Sequence, residues 1–446
     1  MLITNNMTVM FTPELLSPAG SLKNMRFAFA YGADAVYAGQ PRYSLRVRNN
    51  EFNLNNLQQG INEAHAQHKK LYVVSNIAPH NSKLKTFLQD IEPVIAMKPD
   101  ALIMSDPGLI MMVREKHPKM PLHLSVQANA VNWATVKFWQ NQGIERVILS
   151  RELSLDEIEE IRFKVPDMEL EVFVHGALCM AYSGRCLLSG YINKRDPNQG
   201  TCTNSCRWQY NVHPAQQLPT GDIVATAPNL DDQDKLVLLQ EQGRAGEYMP
   251  TFEDEHGTYI MNSKDLRAVE HIERLVKMGI HSLKIEGRTK SFYYCARTAQ
   301  VYRQAINDAV AGRPYNEKLG LTLEHLAHRG YTEGFLRRHR HDETQNYSQG
   351  YSKSESQQFV GEILEYDDSV GWVKVDVKNK FMVGDQLEIM TTKGNHSFTL
   401  QAMKDKNRIN INDAKGSGHV VYILIDKKLD LNHALLMRYL NPAHSL

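Results

Sequence analysis

Charge of one sign, long hydrophobic runs and cysteine are all scarce in this sequence. Its 446 residues carry a formal net charge of +1. The chain is therefore no polycation, and any contact with nucleic acid has to come from a local patch rather than from bulk charge. No stretch approaches the roughly 18 uninterrupted apolar residues of a membrane span. The opening segment MLITNNMTVMFTPELL lacks the basic start and long apolar core of a secretory signal. A cytoplasmic protein without membrane contact is expected, and Met7 and Met10 leave the start codon open. Familiar catalytic patterns are missing too. There is no H-E-x-x-H, so His65 and His68 make no zincin site, and no G-x-S-x-G elbow, G-x-x-x-x-G-K-[ST] loop or C-x-x-C pair occurs. A peptidase would need a nucleophile outside these patterns.

What is present is ordinary in bulk and concentrated in place. Hydrophobic residues make up 42% and charged residues 23%, the balance of a globular protein. The length suits a barrel-sized domain plus a smaller one. Of five cysteines, four (Cys179, Cys186, Cys202 and Cys206) fall in one short segment, just after His175 closes an alternating apolar run. Two disulfides fit poorly, because nothing looks secreted and one cysteine is left over. Zinc suits the Cys202–Cys206 spacing but not Cys179–Cys186. An iron–sulfur cluster needs four thiolates from any spacing the fold allows. Spacing alone leaves cluster, zinc and unmetallated thiols open. Cys295, in the helical pattern FYYCARTAQVYRQA, reads as a core cysteine.

From residue 14 to about 310, short apolar strands alternate with amphipathic helices. Candidate strands are 14–17, 35–38, 71–75, 101–105, 122–126, 146–150, 171–175, 259–262 and 282–286. Helical stretches include 22–31, 54–68, 84–97, 134–142, 155–163 and 294–309. This cadence predicts an α/β fold with a covered parallel sheet, and about eight units point to a (β/α)8 TIM-like barrel over a doubly wound open sheet. Nine candidates appear, so one is accessory. The expected organisation is a barrel domain over 1–330 with a cysteine-bearing insertion at 176–257. A basic and polar linker over 331–355 follows, then a small all-β barrel domain over 356–446, where VGEILEYDD, GWVKVDVKN, DQLEIMTT, SFTLQAM and HVVYILID alternate in period two.

Chemistry in such a barrel collects where strands finish. Asn76, Asp106, Gln127, Asn129, Glu152, His175, Lys264, Glu286 and Arg288 stand at or just past strand ends, and Lys284 shares a face with Glu286 and Arg288. Together they form a polar ring suited to a small anion. Singly, Asp106-Pro107-Gly108 also reads as a helix start, and Glu286 with Arg288 as an ion pair. Arg42, Arg46 and Arg48 interleave with Tyr43 in one loop, where guanidinium forks suit carboxylates or phosphates and the ring suits an unstacked base. Further basic groups surround the cysteines (Arg185, Lys194, Arg195, Arg207) and fill a connector (Arg329, Arg337, Arg338, Arg340, with Tyr331 and Phe335). Each also reads as a solvated surface.

The run E-x-F-x-H-G-A-L-C-M-A-Y-S-G-x-C-x-L-S, from Glu171 to Ser189, resembles the signature of the collagenase-like peptidase family U-32. ELLSPAG, GADAVYAG, HLSVQANAVN, MNSKDL and SLKIEGR extend the resemblance over most of the chain. Within the family the chain is most similar to the bacterial tRNA-hydroxylating subgroup. The resemblance implies a barrel and a 4Fe–4S cluster on Cys179, Cys186, Cys202 and Cys206. It further implies a tRNA partner, prephenate as co-substrate, an electron donor, and oxygen-independent formation of 5-hydroxyuridine at the wobble position. On that reading His175 and Glu286 assist proton transfer, Lys284, Asp106 and Gln127 complete the catalytic group, and Asn76, Arg42, Arg46, Arg48 and Arg288 bind substrate. The alternatives are a U-32-type peptidase, with Ser183 or a thiol beside His175 as nucleophile, and a non-catalytic RNA-binding subunit with a structural cluster.

Overall fold

Eight short parallel strands close on themselves. In the computed structural model they are β1 (Glu14–Pro18), β2 (Ala35–Gly39), β3 (Lys70–Ser75), β4 (Ala101–Met104), β5 (Leu122–Leu124), β6 (Arg146–Ile148), β7 (Glu169–Ala177) and β8 (Ser282–Ile285). The structure describes residues 11–40, 42–44, 51–77, 79–177, 264–328, 330–337, 356–366, 371–425 and 428–440, and between 178 and 263 the backbone of seven strands only. Each barrel strand pairs with the next, and β8 pairs in parallel with both β1 (Leu15 opposite Leu283) and β7 (Leu283 opposite Val172), which closes the circle. Near-continuous apolar runs such as LYVV and ALIM suit strands covered on the outside by helices.

Helix starts are written locally. Ser21, Asn53, Asp106, Asn132, Ser154 and Ser291 each accept a backbone N–H of the helix they open, and Ser154 with Glu157 forms a full capping box. Two of these helices matter below: α1 (Leu22–Ala30), after β1, and α2 (Phe292–Val310), after β8. Among the described residues no helix is long and apolar enough to cross a membrane.

The barrel axis is charged. Arg146 on β6 donates to Glu14 on β1 (2.6 Å) and lies 3.4 Å from Glu171 on β7; Tyr72 on β3 donates to Glu14 (2.8 Å). Strands 1 and 6 are not neighbours, so these contacts run through the interior. Burial pushes the Glu14 carboxyl up, but Arg146, Lys70 and the Tyr72 hydrogen bond outweigh it, and the net shift is downward.

The ninth candidate strand does not join the barrel. Tyr259 falls in Gly257–Ile260, an edge of a five-stranded antiparallel sheet in the order 223–225, 210–217, 236–241, 249–254, 257–260. The polar stretch after the cysteines thus carries strands of its own. A short strand absent from the sequence expectation, Asp265–Arg267, runs antiparallel to the end of β7, and Tyr331–Thr332 pairs with it. Strands of two or three residues leave no periodicity to read.

The C-terminal unit is all-β and antiparallel: among its described residues a two-stranded sheet, 381–382 with 413–414, and an eight-stranded one surround the apolar cluster of Val360, Val375, Phe381, Ile389, Ile423 and Leu436. Leu435–Tyr439 lies inside this sheet, between 386–391 and 357–366. The unit lies along α1 and α2. Lys23 pairs with Glu362 near the start of α1, and Tyr31 at its end donates to the carbonyls of Met390 (3.0 Å) and His433 (2.9 Å). The fully buried Arg297 of α2 pairs with Glu388, whose other oxygen accepts from Tyr439 (3.0 Å).

Candidate active site at the barrel mouth

Strand β7 carries His175-Gly176 just before its last residue, Ala177, and the backbone shows why a glycine follows the histidine. Gly176 has φ +104, and a Cβ there would collide with the Glu286 carbonyl oxygen. Gly287 repeats the condition at φ +147, where a Cβ would stand 2.6 Å from Tyr294 Cε1. Tyr294 closes the group by donating to the Glu286 carbonyl (2.7 Å). The H-G and E-G-R signatures thus lie side by side at one end of the barrel.

His175 is 1% exposed, among the rings of Tyr294, Tyr302 and Tyr331 at 5.5–5.8 Å. Tyr302 donates its hydroxyl to the Val174 carbonyl (2.7 Å), so its oxygen accepts from His175 Nδ1 (3.2 Å). That assigns the Nδ1–H tautomer and leaves Nε2 with a lone pair. Burial, with the positive charges of Arg267 and Lys290, pushes the imidazole down to about 3. At neutral pH His175 is an uncharged hydrogen-bonding group.

Glu286 pairs with Arg151 (3.0 Å), whose guanidinium stacks 3.7 Å from the Phe173 ring centre. Lys284 is fully enclosed; its Nζ donates to Glu171 (2.8 Å) and lies 4.4 Å from the Tyr37 ring centre. Burial lowers the Lys284 pKa, while Glu171 opposes the shift without cancelling it. Burial likewise drives the Tyr37 phenol well up, reinforced by Glu286. Asn76 donates to Gln127 Oε1 (3.0 Å) and Ser125 Oγ (3.3 Å), and Ser125 donates to the same Gln127 oxygen. Arg288, 8% exposed, donates to Ser44 (2.7 Å).

The ring expected from strand ends therefore divides. His175, Lys284, Glu286 and Arg288 gather around Tyr37 and Tyr294, and Asn76 with Gln127 forms a second polar group. Glu286 pairs with Arg151, not with Arg288. Asp106 caps the helix Pro107–Lys116, its Oδ1 accepting from Leu109 N–H (2.9 Å). Arg42 is two-thirds exposed, at 3.0 Å from Asp90. Tyr43 is corrected as a base platform: it is 1% exposed, packs on Phe87 and donates to Asp90 (2.7 Å). Tyr331, expected to touch a base, is instead packed on His175 and His328. Arg337 is bound by Glu270 and Glu333. Arg46, Arg48, Ser183, Cys179, Cys202 and Cys206 lie outside the described residues, and of Cys186 only the backbone is described, in a two-residue arm opposite Ala181.

Four charged groups escaped the sequence reading: Glu14, Arg146, Arg151 and Glu171. For three a signal existed. A charge inside a strand buried on both faces has to be paired, and EVFV, RVIL and ELLS each carry one. The tyrosine surround of His175 had no such signal, since Tyr294 and Tyr302 come from a helix over a hundred residues away in sequence.

The family model for peptidase family U32 matches residues 20–346, and that for its C-terminal domain matches 355–438. The chain belongs to peptidase family U32. It is 68% identical, over 96% of its length and 97% of the relative's, to tRNA hydroxylation protein P of Escherichia coli K12. To the protein of the same description in Haemophilus influenzae it is 65% identical over 97% and 98%. A relative of another description, the 23S rRNA 5-hydroxycytidine C2501 synthase of Escherichia coli K12, is 30% identical over 67% of this chain and 40% of its own.

An iron–sulfur cluster is the expectation that the resemblance raised, and the donor set bears on it. Burial pushes the Cys295 thiol up to about 12, and its Sγ donates to the Pro18 carbonyl (3.4 Å), so this cysteine is a core thiol. The remaining four thiols all belong to the segment that leaves β7 beside the neutral His175. In number and softness they fit a four-thiolate group.

Proposed function

We propose that this U32 protein is an enzyme that hydroxylates a uridine in tRNA. The observation that carries the reading is 68% identity along nearly the whole chain to tRNA hydroxylation protein P of Escherichia coli. The similar rRNA 5-hydroxycytidine synthase adds a second relative whose name refers to a hydroxylated RNA pyrimidine. The finer reading is 5-hydroxyuridine at the wobble position, the first step toward 5-carboxymethoxyuridine, made without dioxygen and with prephenate as co-substrate. Cys179, Cys186, Cys202 and Cys206 would hold a 4Fe–4S cluster, which supplies electron transfer when bound. The reaction belongs in the cytoplasm, where clustered thiols stay reduced.

The barrel-mouth residues have chemistry suited to this. His175 offers Nε2 as a neutral acceptor within an aromatic shell. Arg151, stacked on Phe173 and bridged to Glu286, presents a planar fork for a carboxylate. Lys284 and Glu171 balance each other beneath, so an anion entering above meets no unpaired buried charge.

The deciding experiment measures iron, acid-labile sulfide and zinc on protein purified without oxygen, then 5-hydroxyuridine in tRNA by mass spectrometry with and without prephenate. About four irons and four sulfides, with prephenate-dependent product, is the expected result. Serine at any of the four clustered cysteines should abolish both. Tightly bound zinc without sulfide, or product without prephenate, sinks the finer reading. Peptide hydrolysis that survives the serine substitutions would favour the peptidase instead.

A further inference from the structure

The C-terminal sheet buries one face, Val373, Val375, Val421, Ile423 and Met403, and turns the other to solvent. On that outer face two rings, Trp372 and Tyr422, stand among three cations, Lys374, Lys404 and Arg408. Tyr422 stands at its centre, directly opposite Lys374 on one neighbouring strand and Lys404 on the other. Trp372 lies two residues from Lys374 along the same face. Each ring is covered by a cation, Lys404 Nζ at 4.2 Å from the Trp372 centre and the Arg408 guanidinium at 3.7 Å from that of Tyr422.

The Arg408 stack is built by its turn. Asp405 Oδ1 accepts from the N–H of Asn407 and of Ile409, both at 2.9 Å, and Arg408 N donates to the Asp405 carbonyl (3.0 Å). This holds Arg408 at φ +67, a conformation that favours glycine or asparagine, and returns its side chain over the sheet. Ile409 beside it is 61% exposed. The carboxylates nearby are engaged: Glu365 with Lys374 (3.0 Å), Asp376 with Lys378 (2.8 Å), and Asp405 with its own turn.

We propose that this face is a docking surface for RNA. Backbone phosphates meet Lys374, Lys404 and Arg408, and an unpaired base stacks on the Arg408–Tyr422 pair. Interleaved rings and cations are what a single-stranded or loop segment recognises, whereas protein interfaces are depleted in lysine at their centres. Exposed ion pairs such as Lys374–Glu365 are weak, so a phosphate displaces the carboxylate readily. Because the C-terminal unit is anchored along α1 and α2 through Arg297, Tyr31 and Lys23, a molecule held there is held in a set orientation to the barrel. The proposal rests on the RNA-substrate reading above and adds where the RNA is gripped.

The test uses the full chain, a fluorescein-labelled tRNA transcript and anisotropy titrations between 50 and 200 mM salt. Lys404→Gln/Arg408→Gln keeps the apolar stems and removes two charges; Lys137→Gln, on a distant helix, is the control. The double variant should bind about tenfold more weakly, with the log–log salt slope smaller by about two, at an unchanged unfolding midpoint. The control should match the wild type. Trp372→Leu/Tyr422→Leu should also weaken binding but leave the salt slope unchanged. Wild-type binding matched by both double variants overturns the docking surface alone and leaves the face to a protein partner. No RNA binding by the wild type overturns the RNA reading itself.

Discussion

Glu171 and Lys284 face each other from adjacent parallel strands at 2.8 Å, the carboxylate fully buried and the ammonium 5% exposed. Residue 171 opens the cysteine signature and residue 284 sits in SLKIEGR, so this ion pair joins the two motifs inside the barrel. Truncating Lys284 leaves the buried Glu171 carboxylate with the longer 3.4 Å contact to Arg146 as its remaining cation among the described residues. Lys284→Met is expected to destabilise the fold by about 3 kcal/mol, while Lys284→Met/Glu171→Gln costs much less. A denaturation double-mutant cycle reads the difference. Equal losses in both would mean that the site tolerates an unpaired charge.

Gly176→Ala adds a Cβ against the Glu286 carbonyl at φ +104. A loss of about 2–3 kcal/mol is expected from the strain, together with loss of the product-forming activity. Gly312→Ala, at φ +68 but with open space around it, should cost distinctly less in the same unfolding assay.

Arg297, fully buried, is one of the polar anchors between barrel and C-terminal unit. Arg297→Met removes the cation paired with the buried Glu388, which keeps the hydrogen bond from the Tyr439 hydroxyl, and should cost about 3 kcal/mol. Calorimetry is expected to show one transition for the wild type and two for the variant, as the units uncouple. One sharp transition in the variant would argue that the remaining contacts, Lys23 with Glu362, Tyr31 with the Met390 and His433 carbonyls, and the apolar packing, suffice to join them.

Acid should destabilise this protein through its buried histidines. His175 titrates near 3 when folded against 6.5 otherwise, and burial with Arg146 holds His123 well below its ordinary value too. Below about pH 6.5 the unfolded chain binds protons that the folded chain refuses, so stability falls as pH drops from 6.5 toward 3. The slope is about 1.4 kcal/mol per pH unit for each such histidine. His175→Asn keeps a donor toward Tyr302 and removes one titration. Its stability curve, measured by denaturant titration at several pH values, should be shallower by about one proton.

Arg151→Lys retains the charge and loses the planar fork over Phe173. With the reaction at the barrel mouth, the rate of product formation should fall about tenfold, or about 1.4 kcal/mol, while metal content stays at the wild-type level. An unchanged rate would move the anion site elsewhere.

The sequence by itself determined the barrel, its helix caps and the all-β C-terminal unit. These depend on short-range signals: apolar runs, period-two alternation, and Ser, Asn or Asp at helix starts. It also marked the H-G and E-G-R junctions, where only glycine relieves a close backbone approach. Which ionisable groups meet was decided by tertiary structure. The Arg146–Glu14 contact spans the barrel interior, Glu286 chose Arg151 over its near neighbour Arg288, and Tyr302 reached His175 from a helix far along the chain. Strand alternation tells which side a residue faces. Closure of the barrel decides what lies across from it, and burial then decides whether a histidine there carries a proton.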